Sequence, residues 1–411
     1  MLTRKSIKSI QNVLNETEVY LSNIFDEDLD TVTKGAYSQA RANIKYTAFI
    51  ELCTDARNKF YAEYEYKTFK NYRLLAVDGS MVTLPSNPET QEVFTPIKVS
   101  NQYKEKDKTI VQGRVSVLYD VLNDIIVDSI ITDSKTHEMK ITINQHLKQT
   151  QKDDLIIFDR GYPSYEMFAK IIHQTSADFL IRIKSTTYKK HTAVLFDKKS
   201  GVTDVIATIQ PSTKNVREMC EQENLPQSIE VRFVQVILED GEVEVLATSV
   251  LGSAVIEQKE FKALYFKRWK IETYYDIMKN RLSLENFTGT TVLSIKQDFY
   301  ATMFISNFES VLSHELNEEL ENEEGNKRKK YTQKVNKSVS FNTIKNHAFD
   351  LFFFPDKEII KTLDKIYLQL RTNLIAIRPD RHYDRPNERE GKNTRGIKSA
   401  NHQKRKKKGG F

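Results

Sequence analysis

The chain has 411 residues, 39% of them hydrophobic and 29% charged, with a formal net charge of +6. That length suffices for two or three domains with sizeable cores. Cys53 and Cys220, the two cysteines, exclude a disulfide framework and point to a reducing compartment, and the lack of any apolar run of about 18 residues excludes a helical membrane span.

Residues 1–70 read as a helical N-terminal region. Thr33 suits an N-cap, and Ala36, Ala40 and Ile44 follow it at helical spacing. Arg41 and Lys45 on this stretch either reach a phosphate backbone or belong to a charged packing helix. No secretory leader is expected at the start, so the chain is expected to be cytoplasmic.

Strand patterns begin at about residue 71. NYRLLAVDGSMVTLP is an apolar run that reaches Asp78 and then Gly79. GRVSVLYDVLNDIIVDSIITDS predicts a hairpin, Arg114–Tyr119 and Ile125–Ile131, turning near Asn123 and Asp124. A helix is expected from His137 to about Lys152. Leu155–Phe158 then reads as a buried strand ending in Asp159, followed by Arg160 and Gly161. A helix over Ser164–Thr175 and a strand over Asp178–Lys184 complete the series. This order predicts an α/β mixed sheet flanked by helices over residues 71–185. Residues 186–242 read as a β-rich insertion, with a hairpin turn at Asp240–Gly241.

The second part of the core, residues 243–320, contains the most informative stretch, YFKRWKIETYYDIMK at 265–279. It holds neither Pro nor Gly and predicts one uninterrupted helix. At about 100° per residue, Tyr265, Arg268, Glu272 and Lys279 share an arc of roughly 60°. Leu264, Ile271, Tyr275, Met278 and Leu282 form a neighbouring apolar stripe that should pack on a core. Two cations and a phenol around one acid suit a phosphate-rich ligand with a metal beside it; an amphipathic helix laced with salt bridges fits the same wheel. Trp269, off both rows, either stacks on a base or packs against the insertion. Ser294 with Gln297 resembles a capping box opening a helix over 295–320.

Residues 321–411 read as a charged linker, two helices at 341–354 and 356–371, and a basic tail. From Arg378 to Phe411 there are 12 Lys or Arg against 4 Asp or Glu, a local +8 that leaves about −2 for the rest. Such a tail is either an electrostatic footprint for nucleic acid or a solubilising segment.

Several chemistries find no support. GxxxxGK[ST] and GxGxxG are absent, the eight His form no HExxH, and no cysteine pair suggests zinc. Ser80 and Ser164 have no His at motif spacing. Three carboxylates remain: Asp78 and Asp159, each ending an apolar strand shortly before a Gly, and Glu272 on the helix. An Asp at a strand end is either a turn residue or a rigidly placed ligand. Hard divalent ions take carboxylate oxygens while keeping positions open for phosphate, and a pair of them suits in-line displacement.

These residues together resemble the DDE-type transposases of bacterial insertion sequences, in the insertion sequence 4 group. The resemblance is carried by Asp78 in AVDGS, Asp159 in IIFDRGYPS, and Tyr265-x2-Arg268-x3-Glu272-x6-Lys279, and covers roughly residues 31–310. It implies an RNase H-like fold with the β-rich insertion before the last acid, and Mg²⁺-dependent cutting and joining of DNA, with Mn²⁺ as a substitute. Asp78, Asp159 and Glu272 would be the catalytic metal ligands, and Tyr265, Arg268 and Lys279 would contact phosphates. Arg160 would orient a ligand or pair with another acid. The resemblance also implies double-stranded DNA partners, both transposon ends and target, a homodimer in the synaptic complex, and a nucleoid-associated location. A catalytically idle DNA-binding regulator and a nuclease without strand transfer are the other readings.

Overall fold

The computed structural model describes residues 9–99 and 108–378. The basic tail beyond Arg378 lies outside the described residues. The chain divides into two compact units, each assembled from separated stretches: Glu63–Met81 with Arg114–Asp276, and Met1–Ala62 with Val82–Gly113 and Ile277–Phe411.

The strands are β1 (Arg73–Leu84), β2 (Pro96–Val99), β3 (Lys108–Asp120), β4 (Ile125–Asp133), β5 (Asp154–Phe158), β6 (Asp178–Ile183), β7 (Asp204–Ile209), β8 (Ile229–Ile237), β9 (Val243–Thr248), β10 (Gln333–Val335) and β11 (Leu374–Ala376). The first nine form one mixed sheet, in which β3, β1, β5, β6, β9, β8 and β7 are successive neighbours and β4 pairs with β3. β1 runs parallel to β5 and β5 parallel to β6, whereas β9 pairs antiparallel with β6 and with β8.

Burial on both faces explains the apolar runs of the parallel strands. Leu75 and Val77 of β1, Ile156 and Phe158 of β5 and Phe179 and Ile181 of β6 join a core completed by Met167 and Phe168 from the helix Tyr165–Gln174. Ser164 caps that helix, accepting from the Met167 amide at 3.1 Å. Register between β1 and β5 is pinned at its lower end by a buried bidentate pair, Arg73 to Asp154, at 2.7 and 2.8 Å. Fork-to-fork geometry of this kind adds direction as well as strength.

The stretch 186–242 holds helices Lys189–Phe196 and Lys214–Gln222 besides its strands, and through β9 those strands continue the sheet. Its expected turn is present: Gly241 has φ +82, and the Glu242 amide donates to Asp240 Oδ1 at 2.9 Å. A left-handed φ suits Gly there.

In the other unit, helices span Ile10–Phe25, Lys34–Ala42 and Thr47–Glu63, and the long helix Val292–Asn322 carries the core there. Thr33 is the N-cap of the second helix, accepting from Ala36 N. Arg41 is not available to a phosphate backbone. It is 7% exposed, donates to Gln297 Oε1 at 2.7 Å and pairs with Asp298 at 3.1 Å. The expected capping box at Ser294 and Gln297 is displaced for the same reason: Gln297 serves Arg41 and Ile44, and Thr291 caps the helix instead. Helices Lys337–Asn346, Ala348–Phe353 and Asp356–Thr372 follow. No described helix is long and apolar enough to cross a membrane.

Candidate functional site

The β1–β5 ladder is paired Ala76 with Ile157 near its upper end. Two residues further along each chain segment come Asp78 and Asp159. Asp159 follows the end of β5, as its sequence context suggests. Asp78 does not end its strand, because β1 continues to Leu84; it lies just past the stretch where β1 is paired with β5. One acid thus lies just past the parallel-paired stretch of β1 and the other just past the carboxyl end of β5, the side of an open α/β sheet where ligands gather.

The segment bearing the third acid is not one helix. A helix over Phe261–Phe266 ends, a second spans Trp269–Asp276, and a π-helical turn occupies Ile277–Arg281. At the first junction Lys267, Arg268, Lys270 and Ile271 donate to carbonyls three residues back. Such tighter turns advance each residue by more than an α-helix does, and a π turn by less. A single uniform wheel therefore does not describe the whole segment. The apolar stripe survives: Leu264, Ile271, Tyr275, Met278 and Leu282 are all buried. Tyr275 also donates to the Asp78 carbonyl at 2.6 Å, tying the Glu272 helix to β1 at the first acid.

Arg268 lies at the centre of the arrangement. Its side chain is 7% exposed, its Nη2 donates to Glu272 Oε1 at 3.1 Å, and its Nε is buried with no hydrogen-bond partner among the described residues. Burial opposes its charge, but Tyr265, Asp159, Glu272 and Asp78 together hold its pKa above the usual arginine value. Tyr265 is 6% exposed, and its hydroxyl is likewise buried without a partner. Burial pushes the Tyr265 phenol up, so it stays a donor. Arg268 and Tyr265 are thus two buried donors with capacity left for a ligand oxygen.

The Asp78 carboxyl is pushed up to about 6, first by burial and then by the charges of Glu138 and Glu272; the Gly79 amide and Arg268 oppose this. Electrostatics therefore link Asp78, Glu272 and Arg268, and Arg268 in turn senses Asp159. The carboxylates are not gathered to ligating distance: among the described residues no three His, Cys, Asp or Glu side chains form a group that could hold a metal ion. Carboxylate oxygens are the donor type that a hard divalent cation takes. Lys279 belongs to the other unit and is half-buried. Trp269 is 43% exposed, with the Arg268 guanidinium 5.3 Å from its ring centroid. Arg160 is exposed, and its charge is felt at Glu244.

Two features escaped the sequence. Ser116, His146 and Asp128 form a chain, 2.9 Å from Oγ to Nε2 and 2.8 Å from Nδ1 to Oδ2. Ser116 and His146 are fully buried, so this triad-like row is closed to substrate; it braces the sheet beneath Asp78, whose carbonyl Ser116 approaches at 3.5 Å. The second is Glu138, in the first turn of the helix Glu138–Asn144, which sits beside Gly79. Neither has a sequence signal, because each depends on which strands become neighbours.

Fold and site define an α/β protein with one acid beyond the parallel-paired part of β1, another just after β5, and a buried arginine whose charge both acids influence. Residues 70–308, more than half the chain, match the family described as the transposase DDE domain, and the chain belongs to that family. No curated protein matches it significantly. Among solved structures it is similar to a chain of a piggyBac transposase synaptic complex with hairpin DNA. The identity there is 10%, the match covers 95% of this chain and 77% of that one, and the TM-score is 0.44.

Proposed function

We propose that this protein is a transposase that cuts and joins DNA at the ends of an insertion sequence, through an RNase H-like core whose β-rich insertion precedes the last acid. The observation that carries this reading is Arg268, buried, within reach of the fields of Asp78, Asp159 and Glu272, and with an Nε still unsatisfied. A buried guanidinium with a free edge is suited to a phosphodiester, which it can grip bidentately.

Asp78, Asp159 and Glu272 would hold the divalent ions, Mg²⁺ or Mn²⁺, whose contribution there is activation of an attacking hydroxyl and neutralisation of the leaving oxygen. The chain's own part is to place and hold the phosphodiester. Tyr265 donates a hydrogen bond to a phosphate oxygen, and Arg268 turns its free edge to the same group. Lys279 is retained as a phosphate contact on its spacing in the sequence alone. Transfer to water or to a 3′-hydroxyl needs no protein nucleophile, so positioning and charge carry the catalysis. Double-stranded DNA is the partner on this reading, and a homodimer holds two ends; the location is cytoplasmic, at the nucleoid.

Strand transfer with purified protein, DNA carrying the inverted repeats that flank its gene, and Mg²⁺ tests the proposal. Joined product is expected from the wild type. Asp78→Asn, Asp159→Asn and Glu272→Gln should each abolish cleavage while a gel shift with end DNA survives. Cleavage that persists in any of the three overturns the site. Binding without cleavage by the wild type would favour the idle regulator, and cleavage without joining would favour a nuclease.

A further inference from the structure

The large sheet ends at β7, Asp204–Ile209, which among the described residues pairs with β8 alone. Their antiparallel ladder sets Asp204 against Val234 and Ile209 against Ile229. The Gln235 amide donates to the Thr203 carbonyl at 2.8 Å, which fixes the phase of that ladder. In an antiparallel pair, alternate residues turn both backbone groups toward the neighbouring strand. Val205, Ala207 and Ile209 therefore bond to β8, and Asp204, Ile206 and Thr208 turn their amides and carbonyls outward.

Sheet edges are normally blunted by Pro, Lys, a bulge or a covering element. The strand DVIATI holds neither Pro nor Lys, and its ladder with β8 runs without a bulge. Asp204, its one charged residue, is neutralised by Arg232, with 2.6 Å from Nη2 to Oδ2. Ile206 is 52% exposed, and Thr208 on the same face is exposed too. On the other face Val205 and Ala207 pack against the sheet core yet stay only half-buried.

We propose that β7 is a self-pairing edge through which two copies of this chain join their sheets, antiparallel and about a two-fold axis. The strand is its own complement. With Ile206 opposite Ile206, Asp204 of each copy meets Thr208 of the other, and every outward backbone group finds a partner. Of the registers this phase allows, that one alone engages all three outward residues. Val205 then lies opposite Ala207, so the half-buried apolar pair is covered. Each Asp204 carboxylate falls beside a threonine hydroxyl, and the two carboxylates stand roughly 14 Å apart along the strands, at 3.4 Å per residue. Pairing consumes the edge of both copies, so the assembly closes as a dimer. It involves neither the acids nor DNA and forms in the free protein, so it stands apart from the transposase reading.

Sedimentation of the full chain over a concentration series, without DNA and in chelator, tests it. Wild type should dimerise. Ile206→Lys should weaken the dimer about tenfold or more, because two ammonium groups then face each other across the pair, and Ile206→Glu should do the same. An equimolar mixture of the two variants should recover most of the wild-type affinity, since opposite charges then meet; only a residue that faces itself behaves this way. Circular dichroism matching wild type shows that the variants are folded. Thr208→Asp, which sets a second carboxylate against Asp204 of the other copy, should also weaken the dimer and decides the question if substitution of Ile206 disturbs folding. A wild type that stays monomeric throughout the series overturns self-pairing, as does a dimer undiminished by these substitutions. A mixture no tighter than its two components overturns the two-fold register.

Discussion

Asp78 is held where burial and the neighbouring acids Glu138 and Glu272 oppose its charge. Its folded-state pKa, about 6, lies above the ordinary aspartate value of 3.8, so the folded chain binds this proton more tightly than the unfolded one. That contribution favours folding below about pH 4 and is lost as pH rises through about 6. The ionised carboxylate therefore costs stability at neutral pH, on the order of 1–3 kcal/mol. In chelator, Asp78→Asn should melt above wild type at about pH 7.5, with the gain absent near pH 4; identical curves at both pH values would count against burial as the cause. Arg268 makes a complementary case. Arg268→Ala should weaken end-DNA binding by about tenfold or more, the scale of one charged, buried hydrogen-bonding group. Mn²⁺ affinity should not fall, since the variant removes a cation from among the acids. Lower Mn²⁺ affinity with unchanged DNA binding would reverse the roles assigned here.

Elements differ in how openly their residues announce them. The buried strands were legible because both faces of β5 and β6 are covered, which writes LIIF and FLIRI as short apolar runs. The turn at Gly241 and the cap at Thr33 were legible because each rests on local geometry. The break at Lys267–Arg268 was not, since both residues are good helix formers and nothing local demands a tighter turn there. The cap of the long helix was misplaced by three residues because Thr291 and Ser294 are both competent caps, and the choice was made by Arg41, far away in sequence, claiming Gln297. Glu138 was invisible for a related reason: it gains meaning only when β1 lies beside its helix. The Arg41 network yields a prediction of its own. Arg41→Ala leaves the buried Asp298 to its Thr288 donors, with no other ion pair among the described residues, and should cost about 3–5 kcal/mol in urea unfolding. Lys45→Ala, at an exposed position, should change stability by less than about 0.5 kcal/mol. A mild Arg41→Ala would show that the network contributes little.

At the scale of the whole molecule, charge is unevenly distributed. Residues 378–411 carry a local +8 on a chain of net +6. On the DNA-binding reading, deletion of residues 379–411 should weaken binding most at low salt. It should also make the plot of log affinity against log salt shallower, by about 0.9 for each phosphate that the tail neutralises. An unchanged slope would assign the tail to solubility instead.

The acid-bearing unit is threaded from two separated stretches, Glu63–Met81 and Arg114–Asp276. β1 meets its parallel partner only after the chain has run from Ala76 to Ile157, and the helix that donates Glu272 comes later still. Pairings of that span are slow to form, because loop closure precedes any gain. A nascent chain, or one cut short before Tyr275 can clasp the Asp78 carbonyl, lacks the tie between the Glu272 helix and β1, and on the proposed reading it cannot yet cut DNA. On that reading, any capacity to break DNA comes late in synthesis.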